Sequence, residues 1–248
     1  MASVHLLHAG YADERVGSSV TLIRDGEALI VADPGMVANR SRILEPLAAL
    51  DVAPEAVTHV FISHHHPDHT VNIALFPNAE VVDFWARYRD DLWLDHDGDG
   101  YRLSPNAELW LTPGHTNEDA SLIVTAEDAT YALTHLWWRA DETPEIDPLA
   151  DDQSKIEAGR ARVRAVADIV IPGHGGAFRN PRRPSSRAPV RISRPRPRGC
   201  PPHRPPRPAA RPRPRGARRT RSPPRSRAGP PTRASRGGTR PSMPRSPR

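Results

Sequence analysis

Ser63-His64-His65-His66-Pro67-Asp68-His69-Thr70 decides how the rest of this 248-residue chain is read. Four imidazoles and a carboxylate within six positions are too many ligand atoms for ordinary surface or core duty. Imidazole suits zinc, copper, iron and nickel, and a carboxylate widens the choice to harder ions such as manganese. Read as His-x-His-x-Asp-His, the run offers His64, His66, Asp68 and His69. A tag-like or merely solvated histidine run gives no reason for an Asp at that offset. The stretch before it, residues 57–63, is apolar and β-branched and predicts a buried strand. Side chains alternate along an extended chain, so His64 and His66 share one face where that strand ends. Pro67 breaks the ladder, and Asp68 and His69 can turn toward a neighbouring position. One loop could therefore serve two adjacent metal ions.

Outward from this run the chain alternates strand-like and helix-like stretches with short loops, as in a sheet-and-helix sandwich. Residues 16–23 and 28–32 read as two strands around an Asp25-Gly26 turn, and Asp33-Pro34-Gly35 ends the second. Residues 41–50 read as a helix with a Ser or Asn cap and an apolar stripe of Ile43, Leu44, Leu47 and Leu50. A short helix through Ile73 and Leu75 is expected to stop near Pro77, and residues 81–84 read as a strand. Asp95-His96-Asp97-Gly98-Asp99-Gly100 has the start of an EF-hand loop, but Asn106 stands where the twelfth-position Glu is needed. A polar hairpin tip is expected there instead. Residues 109–111, 120–125, 130–136 and 169–171 read as further strands, with an acidic turn at Glu127-Asp128. Asp151 or Asp152 caps a helix running to about Ala167, with Arg160, Arg162 and Arg164 toward its end, where the helix dipole favours them. His115, His135 and His174 stand at strand ends. His5, His8, His59, His65 and His96 read as packed or surface residues, and strand alternation turns His65 away from the metal side.

The histidine run, with Pro113-Gly114-His115-Thr116 and Pro172-Gly173-His174-Gly175 following in order, resembles the signature of the metallo-β-lactamase fold superfamily of hydrolases. The resemblance implies a four-layer αββα sandwich and a zinc centre of one or two ions, with iron or manganese as alternatives. It places His64, His66 and His115 at a first metal site and Asp68, His69 and His174 at a second. It also makes Asp33 a residue that sits beneath the metal loop and orients its histidines. Members usually carry a bridging Asp between the two later motifs; here Tyr131-Ala132-Leu133-Thr134-His135 puts His135 at that position. An imidazole does not bridge two ions about 3.5–4 Å apart as a carboxylate does, and it brings no charge. Either the second ion binds weakly or is absent, or His135 ligates one ion in a more electropositive pocket. Within the superfamily, Asn72, Ala74-Leu75-Phe76-Pro77 and Ala167-Asp168-Ile169-Val170, added to the motifs above, resemble the metallo-β-lactamase domain-containing protein 1 group over residues 16–178. That group implies an RNA-processing endonuclease acting as a homodimer, but the missing Asp weakens the transfer.

The implied chemistry is hydrolysis. A zinc-type ion lowers the pKa of its water to about 7, and Asp68 is the candidate catalytic residue that accepts or relays the proton. No Ser-His-Asp elbow or Walker-type loop appears, which disfavours nucleophilic side-chain catalysis and NTP hydrolysis. The favoured partner is a small-molecule ester, thioester or lactone. RNA is the alternative, and a non-enzymatic metal-binding relic is a third reading. Charge bears on this choice. Of 35 basic residues, 23 lie in residues 179–248, which hold no acid; residues 1–178 keep 12 against 29 acids, a formal −17. Phosphate contacts dominate nucleic-acid affinity, so that charge opposes RNA. The single Cys200 allows no disulfide framework or thiolate metal site within the chain; no 7–15-residue apolar run follows a basic stretch at the N-terminus, and no 18-residue apolar segment occurs. A soluble cytoplasmic protein with no membrane partner is the expectation.

Residues 1–178 are thus expected to form the hydrolase domain and residues 179–248 a disordered tail. The tail carries 19 of the 29 prolines and too few apolar side chains to offset ordering entropy. It reads as a nucleic-acid tether, as a screen for the acidic domain, or as a shifted reading frame in a GC-rich gene. The last is favoured because off-frame GC-rich DNA yields Arg, Pro, Ala and Gly codons.

Overall fold

A computed structural model describes residues 1–140 and 144–181. The expected character of the tail beyond residue 181 lies outside the described residues. Two sheets face each other. The first has β1 (Ser3–His8), β4 (Val20–Asp25), β5 (Ala28–Ala32), β6 (His59–Phe61), β7 (Glu80–Val82), β8 (Arg87–Arg89) and β9 (Leu92–Leu94) in that spatial order. The second runs in chain order through β10 (Arg102–Ser104), β11 (Ala107–Leu111), β12 (Ala120–Thr125), β13 (Thr130–Thr134), β14 (Ile169–Pro172) and β15 (Phe178–Arg179). A small ribbon pairs β2 (Tyr11–Ala12) with β3 (Val16–Gly17). The α-helices among the described residues are α1 (Ser41–Ala48), the single turn α2 (Pro67–Thr70) and α3 (Gln153–Val166), and the short helix expected through Ile73 and Leu75 is a 3-10 turn, Ile73–Leu75.

The period-two pattern of the strands builds the layers. Ile23, Ile30, Phe61 and Val82 meet Leu109, Leu122, Leu133 and Ile171 between the sheets. Their chain neighbours Leu22, Val31 and Val60 point the other way, against Ile43 and Leu47 of α1. On the far side, Ile123, Ala132 and Val170 pack on Ile156 and Val163 of α3. Three apolar interiors therefore separate four layers, helix, sheet, sheet, helix, as expected of an αββα sandwich. Each fully buried Leu, Ile, Val or Phe contributes about 1.5–3 kcal/mol relative to an exposed one.

Several boundaries move inward from the sequence reading. Residues 16–23 are two strands rather than one, because Ser18 and Ser19 leave the ladder to bond across the site end: Ser18 N donates to Asp68 O and Ser19 N to Gly173 O. α1 stops at Ala48, and Asn39 Oδ1 accepts the Ser41 N–H beside its start. Asp152 caps α3, accepting from Ser154 N and Lys155 N. The acidic stretch 95–100 is not a hairpin tip. It carries the chain from β9 in the first sheet to β10 in the second, where Asp99 takes the Leu111 N–H and both Arg162 guanidinium nitrogens.

Strand direction decides where the chemistry collects. β5, β6 and β7 run parallel, so Asp33 after β5 and Ser63 after β6 lie side by side. β11 and β13 are each antiparallel to β12, and β14 is parallel to β13. The segments after β11, β13 and β14 thus leave one edge of the second sheet. Ala120 N donates to Ser63 O at 2.7 Å and Ser19 N to Gly173 O at 2.8 Å, lacing that edge to the first sheet.

A candidate metal centre built from both sheets

The loop after β6 presents His64, His66, Asp68 and His69, and the strand ends of the second sheet bring His115, His135 and His174 to meet them. His66 Nδ1 lies 3.0 Å from His64 Nε2 and 3.3 Å from His115 Nε2. Asp68 Oδ2 lies 3.4 Å from His69 Nε2 and 3.6 Å from His174 Nε2. His135 Nε2 faces His174 Nε2 at 3.0 Å. Ligand atoms within 4.8 Å of one another form three groups among the described residues: His64, His66 and His115; Asp68, His69 and His174; and His64, His69 and His135. All seven residues read from the sequence as ligands are brought together, and His5, His8, His59, His65 and His96 stay outside these groups. His65 bonds Asp83 instead, at 2.8 Å.

Most rings are held from behind. His69 Nδ1 donates to Asp33 Oδ2 at 3.0 Å, His115 Nδ1 to Asp147 Oδ2 at 2.9 Å and His174 Nδ1 to Gly17 O at 3.1 Å. Each bond fixes the tautomer that leaves Nε2 with a lone pair aimed inward. Asp33 lies where it was expected, beneath the loop, and its Oδ1 also accepts the Ser63 N–H at 2.7 Å. Asp147, which also accepts from Trp138 Nε1 at 3.0 Å, went unread in the sequence. No motif surrounds it, and its neighbour residues 141–143 are not described. Ser63 Oγ, 3.1 Å from His64 Nδ1, is another such support. His135 differs: its Nδ1 is buried with no hydrogen-bond partner.

Burial first, and mutual repulsion second, hold His64, His66 and His135 below the ordinary imidazole pKa, and His174 at about 4. Neutral rings with inward lone pairs are the ligand form. Burial alone would lower His69 too, but the adjacent Asp33 carboxylate outweighs it and raises the pKa. Burial also raises Asp119, 4.0 Å behind His64, to about 6 against the hydrogen bonds from Thr116. Nε2 of His69, completely buried, has no hydrogen-bond partner. An orphaned donor atom, paired nitrogens at hydrogen-bond distance and an imidazole-carboxylate donor set fit a divalent ion.

The model of the metallo-β-lactamase superfamily matches residues 13–178. The chain belongs to that superfamily. It is 36% identical over 190 residues to metallo-β-lactamase domain-containing protein 1 of Xenopus laevis, spanning 71% of this chain and 81% of that protein. Identity to the human protein of the same name is 35% over 175 residues, 66% of this chain and 64% of the human one. Solved superfamily structures share the fold. A Thermotoga maritima protein classed with the metallo-β-lactamases superposes with a TM-score of 0.57 at 17% identity, over 72% of this chain and 99% of that one. A quorum-quenching N-acyl homoserine lactone lactonase reaches 0.52 at 19% identity, over 70% and 91%. The chain is a metallo-hydrolase of this superfamily with a histidine-rich centre for a divalent metal. No helix among the described residues is long and apolar enough to cross a membrane.

Proposed function

We propose that this superfamily hydrolase holds zinc, one or two ions per chain, and cleaves an ester, thioester or lactone of a small molecule. The observation that carries the reading is the convergence of His64 Nε2, His66 Nδ1 and His115 Nε2, with Asp147 behind His115. These three would hold one ion, and Asp68, His69 and His174 the other. A bound ion supplies an activated water at neutral pH and an electrophile for the substrate oxygen. Asp68, the only carboxylate among the candidate ligand residues, would accept or relay a proton there, its Oδ2 lying 3.4 Å from His69 Nε2 and 3.6 Å from His174 Nε2. His66 is exposed while His64, His69, His115, His135 and His174 are buried, so the substrate approaches over His66. His135 stands near His174 as a further ligand without charge, which leaves the site more positive than a set with a second carboxylate and suits an anionic transition state.

Elemental analysis of the purified full chain, with a screen of esters, thioesters and lactones, tests this. At least one equivalent of zinc is expected, lost in His64→Ala, with turnover lost on chelation. Full turnover by metal-free protein overturns the reading. Cleavage of single-stranded RNA with none of the three small-molecule classes turned over replaces it with the endonuclease alternative.

A further inference from the structure

Beside the cluster lies a second, chemically different surface. β8 and β9 close the first sheet with a hairpin that carries Tyr88 and Trp93; with Trp85, just before β8, these rings wall an open groove of about 490 Å³ that also touches His65 and Glu118. Trp85 is 55% exposed and Trp93 66%, both large for tryptophans of a folded domain. The polar ends of two of the rings are already engaged within the protein. Trp85 Nε1 donates to Glu118 Oε2 at 2.9 Å, and the Tyr88 hydroxyl donates to Asp83 Oδ1 at 3.2 Å. Asp83 is itself buried and fixed by the Trp85 and Ala86 N–H groups and by His65. The edge of Trp93 packs on Tyr88, with ring centroids 4.8 Å apart. What faces outward is therefore apolar ring surface, held in place by hydrogen bonds that point away from it.

The groove and the metal centre share chain segments. His65 in the groove lies between His64 and His66, and Glu118 lies three residues past His115. The Glu118 charge acts on both His65 and His66. A molecule whose reacting carbonyl reaches the ions past His66 has this groove as the adjoining surface for its remainder. The two acids in its wall, Asp83 and Glu118, disfavour an anion. Resting on the hydrolase reading above, we infer that the groove of Trp85, Tyr88 and Trp93 is the specificity subsite for an uncharged aryl or alkyl group of the substrate.

The holoenzyme and its Trp85→Ala/Trp93→Ala variant test this with 2-naphthyl acetate and methyl acetate. Both substituted side chains are exposed, so folding is expected to survive. An aromatic pair contributes about 0.5–1.5 kcal/mol beyond burial, which is up to about tenfold. The variant should lose about tenfold in kcat/KM on the naphthyl ester, through KM, and nothing on the methyl ester. Equal losses on both, or none, overturn the proposal. Titration of the protein with the non-hydrolysable 2-methoxynaphthalene, followed by the NMR signals of the tryptophan indole N–H groups, separates the two readings. Shifts at Trp85 and Trp93 with no turnover of any ester, thioester or lactone sink the hydrolase reading and leave the groove standing. No shifts sink the groove whatever is hydrolysed. Equally tight binding of 2-naphthalenesulfonate overturns the preference for an uncharged group. A smaller solution mass for the variant than for the wild type assigns the surface to a contact between copies and overturns the subsite.

Discussion

The first sheet delivers four candidate ligand residues from one loop after β6, whereas the second delivers His115, His135 and His174 singly, from segments after three different strands. The loop half is set by backbone hydrogen bonds: Met36 N and Ser18 N both donate to Asp68 O, and His69 N donates to His66 O. The strand-end half is set by register, because each histidine depends on where its own strand stops in the ladder. One displacement in the first sheet therefore moves four ligands, and one displacement in the second moves one.

Two glycines turn that difference into a measurement. A Cβ on Gly35 would lie 1.6 Å from Asp68 O and 2.5 Å from His69 Cα, both main chain, so the metal loop itself must move. A Cβ on Gly173 would meet the His135 ring at 2.3 Å, a single side chain. Gly35→Ala is expected to lose its metal and to fall about 100-fold or more in kcat, since ångström-scale misplacement costs that much. Gly173→Ala should keep the ion held by His64, His66 and His115 and lose about tenfold. Elemental analysis and turnover of both variants decide the matter, and a Gly173→Ala protein more damaged than Gly35→Ala breaks the contrast.

The same contrast explains what the sequence disclosed. The histidine loop is contiguous, so spacing alone marked His64, His66, Asp68 and His69 as ligands. His115 and His174 are single residues, and a lone Gly-His is common; only their order and the superfamily resemblance joined them to the loop. Most strands, α1 and α3 were legible from apolar periods, caps and charge order, but their stacking into αββα layers came from the superfamily resemblance. β1, β2, β8, β9, β10 and β15 were not read; Arg87–Arg89 and Leu92–Leu94 sit at a half-exposed sheet edge where one face no longer needs to be apolar. Asp33 was placed beneath the loop by the superfamily resemblance of its Asp-Pro-Gly turn, but Asp147 acts across 32 residues on His115 and no local pattern records that distance.

These two supports rank next in expected effect. Asp33→Ala removes the acceptor of both the His69 Nδ1–H and the Ser63 N–H, leaving a buried main-chain donor unpaired at about 1–3 kcal/mol. Metal affinity should drop by about 100-fold, the upper end for groups behind a ligand, and the melting temperature with it. Asp147→Asn keeps the shape and an oxygen for His115 and Trp138, but it loses the charge and turns an amide toward the Leu149 N–H now held by Oδ1. About tenfold in affinity is expected there. Competition with a fluorescent chelator measures both, and an Asp147→Asn loss exceeding that of Asp33→Ala would place the stiffer half of the site in the second sheet.

The smallest effect belongs to a tie between the sheets that touches no ligand. Asp25 closes the β4–β5 turn, at the end of β5 opposite Asp33, and its carboxylate accepts from Ser104 Oγ, Asn106 N and Asn106 Nδ2 of the second sheet. Burial would raise its pKa, but those hydrogen bonds together outweigh burial and hold it below the usual carboxylate value. The folded value lies under the unfolded one, so the stabilisation is complete above pH about 4 and is lost as pH falls through the folded value. Asp25→Asn should lower the melting temperature by about 2–4 °C at pH 7, and the gap to wild type should close below pH about 4. Bound metal per chain should stay the same, because the turn is a strand length from the histidines. A gap that persists in acid shows that the carboxylate charge is not what joins the sheets there. A fall in metal content shows that the two halves of the site are held in register from their far ends as well.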